Sequence, residues 1–133
     1  MTADRSGYAR LFREAFRFGL VGLVATAVHI GVGLILLRTG LHPLLANTLG
    51  FVTALSVSLA GHHWFTFESV APFVRTAPRY AAVALLGFGF NTLVLASLVR
   101  VLPPRYEAAS LVVAVLLTPL ATFLAARLFA YRD

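Results

Sequence analysis

The sequence predicts an all-α membrane protein of four transmembrane helices with both termini in the cytoplasm. Three observations carry this: an apolar composition, four long gaps between charges, and arginines gathered on one side of those gaps. Of the 133 residues, 59% are hydrophobic and only 12% are charged, where a soluble domain carries about 25% charged residues. Mean hydropathy is +0.87. A soluble core of this size cannot absorb so much apolar surface, whereas a bilayer can. The length accommodates one domain, 1–133, and leaves no room for a second, catalytic one.

The N-terminal segment, 1–17, is basic, with Arg5, Arg10, Arg13 and Arg17. Within it, Tyr8, Leu11, Phe12 and Phe16 share one helical face, opposite Arg10, Arg13 and Arg17. That pattern reads either as a short helix lying in the membrane interface or as a charged flank that fixes topology. Arg17 and Arg38 then enclose twenty uncharged residues, which places the first helix at 18–37. Its apolar run exceeds that of a cleaved signal peptide, and no small-x-small cleavage site follows, so it reads as a signal anchor. The second helix is placed at 44–63, after His42-Pro43 and ending on His62-His63. The third is placed at 80–99, between Arg79 and Arg100. The fourth is placed at 108–127, after the tight turn expected of Pro103-Pro104. Each run is near the ~20 residues that cross a hydrocarbon core. The runs are continuous, not alternating, and a helix satisfies its own backbone in lipid, so helices are expected over strands.

The net charge of +6 comes from eleven arginines and five acids, with no lysine and no cysteine. The arginines flank apolar runs, so the expected partner of this charge is membrane lipid and not nucleic acid. Eight arginines fall on the side of the termini and three on the other, which places both termini inside. The lack of cysteine excludes disulfides, thiolate metal sites and Cys nucleophiles. No phosphate-binding loop, Gly-x-Ser-x-Gly or paired carboxylates occur, so neither catalysis nor a cofactor is expected. His62-His63 lacks a third ligand at suitable spacing, and adjacent residues do not share an α-helical face, so no metal is expected.

The chain also contains an internal 2+2 repeat. At an offset of 62, Arg17 to Arg38 matches Arg79 to Arg100, with Val21 on Val83, Leu23 on Leu85 and His29 on Asn91. At an offset of 64, Ser58 meets Thr122, His63 meets Arg127 and Phe65 meets Phe129. The two halves share a topology, as in transporters whose repeats are related by an axis along the membrane normal.

Small and polar residues are spaced for helix contact. Gly19, Gly22, Thr26, His29 and Gly33 fall on one face of the first helix, and Asn47, Gly50, Ala54, Ser58 and Gly61 on one face of the second. Such faces bring helices close in lipid. His29 and Asn91 lie near the middles of their spans, where polar side chains face a bundle interior or a wet cavity. A His29–Asn91 hydrogen bond would hold helices together; lining a substrate path is the other reading, and the spacing supports both. Trp64, Phe65 and Phe67 fit an interfacial aromatic belt.

The motif Arg17-Phe18-Gly19-Leu20-Val21-Gly22 resembles the start of the GtrA-like family, as do Leu45-Ala46-Asn47 and Gly61-His62-His63-Trp64-Phe65-Thr66-Phe67. Thr122-Phe123, Arg127, Phe129 and Tyr131 resemble the repeat of that ending. The resemblance covers about residues 13–132. His29 stands where the family often has Asp, and His63 where it often has Arg.

The resemblance implies translocation of a polyprenyl-phosphate-linked sugar across the cytoplasmic membrane, for cell-surface polysaccharide synthesis or glycosylation. Arg17, Arg79 and Arg127 would then hold the phosphate by charge-assisted hydrogen bonds, with His63 a weaker and pH-dependent grip. Thr26, His29, Asn47, Ser58 and Asn91 would line a polar path for the sugar. Four helices enclose little volume, so a homo-oligomer or a glycosyltransferase partner is expected beside the lipid substrate. Three alternatives stay open: a scaffold that recruits a glycosyltransferase without moving lipid, a small multidrug-type exporter, and an assembly subunit. The exporter class relies on an acid in its first helix, which this chain lacks.

Overall fold

A computed structural model describes residues 2–66 and 73–130. Four long helices follow one another: α1 (Thr2–Arg38), α2 (Pro43–Ala60), α3 (Phe73–Val101) and α4 (Glu107–Ala130). A π-helical turn, Gly61–Thr66, extends α2, and a 3₁₀ turn, Pro104–Tyr106, precedes α4. α1, α2 with its π turn, and α3 are each long and apolar enough to cross a membrane, and α4 is a fourth helix of 24 residues.

α1 is one unbroken helix of 37 residues. At ~1.5 Å per residue it spans about 55 Å, well beyond a ~30 Å hydrocarbon core. The basic flank is therefore not a separate interfacial helix but the continuation of the first span. Residues 2–17 contain no proline to break the helix, and Arg10 Nε donates to Glu14 Oε1 at 3.1 Å, one turn along. The helix ends where Gly40 takes φ +88°, a conformation that glycine alone adopts without penalty. There the Gly40 and Leu41 amides return to the carbonyls of Leu37 and Leu36. His42 then caps α2, its Nδ1 accepting from the Leu44 amide at 3.2 Å, with Pro43 as the first helical residue.

α3 begins at Phe73, seven residues before the start expected from the charge frame, and carries Pro78 in its second turn. A proline so near the N-terminus removes a single internal hydrogen bond, so the helix starts ahead of it. The Pro103-Pro104 connection is the expected tight turn, with the Tyr106 amide on the Pro103 carbonyl at 3.0 Å. Glu107 opens α4, where a carboxylate complements the helix dipole.

α1 packs chiefly on α2 and α3 chiefly on α4; α2–α3 and α4–α1 contacts close the ring. The bundle differs along its length. One half is solid, built on Leu95, Leu111, Ala114 and Val115, with Ile30, Leu37, Leu44 and Val99 against them. The other half, toward the start of α1 and the end of α2, is hollow.

Close contact is made by only part of each small-residue face. A methyl built on Gly50 would sit 2.8 Å from the His29 carbonyl oxygen, one on Gly61 2.7 Å from Val21 Cγ1, and one on Gly33 2.9 Å from Leu111 Cδ1. A methyl on Gly19 or Gly22 would meet nothing within 4 Å among the described residues. The expected contact face of α1 thus divides: Gly33 packs, while Gly22 opens onto the hollow half.

A polar-floored cavity as the candidate functional site

The hollow half is a cavity of about 490 Å³ to which all four helices contribute. α1 supplies Phe18, Gly22, Ala25, Thr26 and His29; α2 supplies Phe51, Ala54, Leu55 and Ser58; α3 supplies Val83, Ala84, Gly87, Phe88 and Asn91. Val115, Thr118 and Pro119 complete it from α4. Its wall is mostly apolar, and none of these residues is Asp, Glu, Lys or Arg.

The polar groups gather at its inner end. His29, Asn47 and Asn91 are almost wholly buried. Asn47 Nδ2 donates to Asn91 Oδ1 at 2.6 Å, and His29 Nε2 lies 2.9 Å from Asn47 Oδ1. An amide oxygen only accepts, so His29 donates from Nε2. The direct His29–Asn91 bond, one of the two readings left open by the sequence, does not form; Asn47 bridges the two. The reason is topological: α2 packs on both α1 and α3 at this depth and places an amide between them. Asn91 lines the cavity, and its Nδ2 has no partner among the described residues although the residue is only 2% exposed. Buried amides are normally satisfied, and one that is not marks a place for a water or a ligand.

Two further polar residues face the cavity with their hydroxyls committed. Thr26 Oγ1 donates to the Gly22 carbonyl at 2.8 Å, and Thr118 Oγ1 to the Ala114 carbonyl at 2.8 Å. Ser58 is half-buried in the wall. Pro119 lacks an N–H, so the Val115 carbonyl one turn before it loses its usual helix donor, and both residues line the cavity. Phe51 stacks on Phe88 at 4.3 Å between ring centroids, and His29 meets the Phe51 ring edge-on at 6.2 Å.

At the outer end, α1 is fastened to the π turn. Arg17 Nη1 donates to the Phe65 carbonyl at 3.0 Å, and its guanidinium lies 4.9 Å from the Phe65 ring centroid. His62 stacks on Phe18 at 4.4 Å. His62 and His63 are both buried, a side-by-side burial that a plain α-helix would not give. The wider π turn advances each residue less around the axis, so neighbours share a face. His63 packs edge-on against Trp64 at 5.1 Å and does not join the cavity wall. Trp64 and Phe65 are exposed, as an interfacial belt requires.

Of the residues expected at a site, Thr26, His29, Ser58 and Asn91 line one cavity, Asn47 supports it from behind, and Arg17 stands beside Phe18 at its outer end. Arg79 lies on α3 and Arg127 on α4, with side chains outside the described residues. Phe51, Phe88, Thr118 and Pro119 were not anticipated. The aromatics carry no signal inside an apolar run, whereas Thr118-Pro119, a polar residue and a helix breaker in mid-span, was a readable one.

The GtrA/DPMS transmembrane-domain family matches residues 17–131, nearly the whole chain. The chain belongs to that family and is a multi-pass membrane protein. No curated protein and no solved structure matches it.

Proposed function

We propose that the protein translocates a polyprenyl-phosphate-linked sugar across the cytoplasmic membrane and feeds cell-surface polysaccharide synthesis or glycosylation. The observation that carries this reading is the half-depth cavity with its polar floor at His29, Asn47 and Asn91. Carriers of this kind hold substrate near the bilayer midplane, between repeated halves. His29 and Asn91, equivalent in the internal repeat, converge on the same network, which an ancestral duplication accounts for. The arginine count favours cytoplasmic termini, and hence a cavity open toward the side where the lipid-linked sugar is made. The sugar would enter the cavity while the prenyl tail stays in lipid. Arg17, Arg79 and Arg127 flank the apolar spans on that side and would bind the phosphate. The part played is that of a carrier, not an enzyme, and needs no cofactor.

The test is reconstitution into liposomes holding a labelled polyprenyl-phosphate sugar, with exposure to an impermeant reagent followed over time. Protein-dependent acceleration, lost in Asn91→Leu, is the expected result. No acceleration across several sugars in folded protein would sink translocation.

One observation favours the scaffold reading. α1 runs on beyond the bilayer core with Tyr8, Leu11, Phe12 and Phe16 all largely exposed along it. If recruitment of a glycosyltransferase is the function, Phe12→Ser with Phe16→Ser abolishes glycan modification, while Asn91→Leu leaves it intact.

A further inference from the structure

We infer that the cavity takes a neutral, hydroxyl-bearing ring, with the Asn91 amide as the donor that binds it, and that its uncharged wall excludes sugars that carry a carboxylate or an ammonium group. The inference rests on the translocation reading and narrows its substrate class. Three observations carry it. First, the Asn91 Nδ2 is buried, belongs to a cavity-lining residue and has no partner among the described residues, so it offers a hydrogen bond to an incoming oxygen. Its Oδ1 is held by Asn47, which fixes the amide with the donor as the available end. Second, Pro119 has no N–H to give the Val115 carbonyl one turn before it, and both residues line the cavity, so this stretch of wall lacks a helix donor for one carbonyl acceptor. A donor on one side and an acceptor on the other suit hydroxyl groups, which both give and take. Third, the described lining holds no acid, arginine or lysine. A charge brought to this depth would be stripped of water with no counter-charge to meet it, which is strongly unfavourable. The titratable His29 is already committed at Nε2 to Asn47. Apolar walls with the Phe51 and Phe88 rings fit the C–H faces of a sugar ring.

The same hydroxyl chemistry is offered by a lipid-linked sugar and by a free one, so both belong in the test. Equilibrium binding to the detergent-purified full chain is measured for polyprenyl phosphates bearing a neutral hexose, a hexuronic acid or an amino hexose, and for a free methyl hexoside. The neutral lipid is expected to bind at least about ten-fold more tightly than either charged one, the scale on which a hydrogen-bonding pocket discriminates. Binding of the free hexoside as tight as that of the lipid-linked sugar would assign the site to free sugar and overturn the lipid assignment. Asn91→Leu removes the donor and is expected to weaken binding of the neutral lipid about ten-fold, while both charged lipids stay excluded by the uncharged wall. Asn91→Asp is nearly isosteric and keeps the oxygen that accepts from Asn47, so it tests selection in a folded chain. It is expected to shift the preference toward the amino hexose. Equal binding of all three lipids, or a preference unmoved in Asn91→Asp, overturns the inference. Neutral-selective binding without flipping would instead remove the translocation reading and leave this one standing.

Discussion

Asn47 is the residue on which the polar floor depends. It is wholly buried and makes hydrogen bonds to both His29 and Asn91, so its loss leaves two buried polar side chains without their partner. Interhelical hydrogen bonds in membranes average only about 0.6 kcal/mol each, with a maximum near 1.7. Asn47→Leu is therefore expected to destabilise the folded protein by about 1–3 kcal/mol, mostly through the groups it orphans. Thermal unfolding in detergent reads this as a lowered Tm. The bridge also predicts coupling at a distance. His29→Leu and Asn91→Leu remove residues that do not bond each other, yet their effects on Tm are expected to be non-additive in the wild type. In an Asn47→Leu background the two should add. Additivity in the wild type would mean that Asn47 holds each neighbour independently.

At the scale of the element, the glycines separate into those that set a helix distance and those that leave space. Gly50 lies against backbone: an added methyl would sit 2.8 Å from the His29 carbonyl oxygen and 2.9 Å from His29 Cδ2. Backbone cannot rotate aside, so α1 and α2 must separate, and the Asn47 bridge one turn away lengthens with them. Gly50→Ala is expected to cost about 1–3 kcal/mol, the usual range for overpacking. Gly33→Ala meets only the end of the Leu111 side chain, which can shift, and should cost less. Gly19→Ala meets nothing among the described residues and replaces a helical glycine, so Tm should stay level or rise slightly. Sequence spacing alone could not draw this distinction. It identified the faces, because a helical period of small residues is legible, but not which residues meet a neighbour and which meet a void. The helix ends are legible where proline punctuates them, at Pro43 and Pro103; the Gly40 turn is seen only in the structure. Charge marks where α1 and α3 end, at Arg38 and next to Arg100, but not where they start. Residues 2–17 continue α1 because nothing in them breaks a helix, whatever their charge. The π turn at Gly61–Thr66 had no signature in the sequence, so the joint burial of His62 and His63 ran against the expected alternation.

At the scale of the molecule, the bundle has a solid half and a hollow one, so the proposed carrier has a closed side and an open one. The four helices and the polar residues at mid-span were readable because burying polar groups in lipid is costly enough to leave few unexplained. The cavity was not readable, since its wall is made of the same apolar residues as the solid half. Its presence has a direct consequence for access. The chain has no native cysteine, so single cysteines report without background. Ser58→Cys and Ala84→Cys place thiols in the cavity wall, whereas Ala114→Cys places one in the solid half, where residue 114 is wholly buried. An impermeant maleimide is expected to label the first two, and only from the side that carries the termini, which Ser6→Cys identifies independently. Thr39→Cys, in the first turn between helices, should label from the opposite side, and Ala114→Cys from neither. Added polyprenyl-phosphate sugar should slow labelling of Ser58→Cys and Ala84→Cys by occupying the cavity, while leaving Ser6→Cys and Thr39→Cys unaffected. Labelling of the cavity thiols from the Thr39 side would place the opening on the other leaflet and reverse the proposed entry of substrate. Labelling from both sides at equal rates would mean that the solid half opens readily, and that His29, Asn47 and Asn91 form a waist between two vestibules instead of a floor.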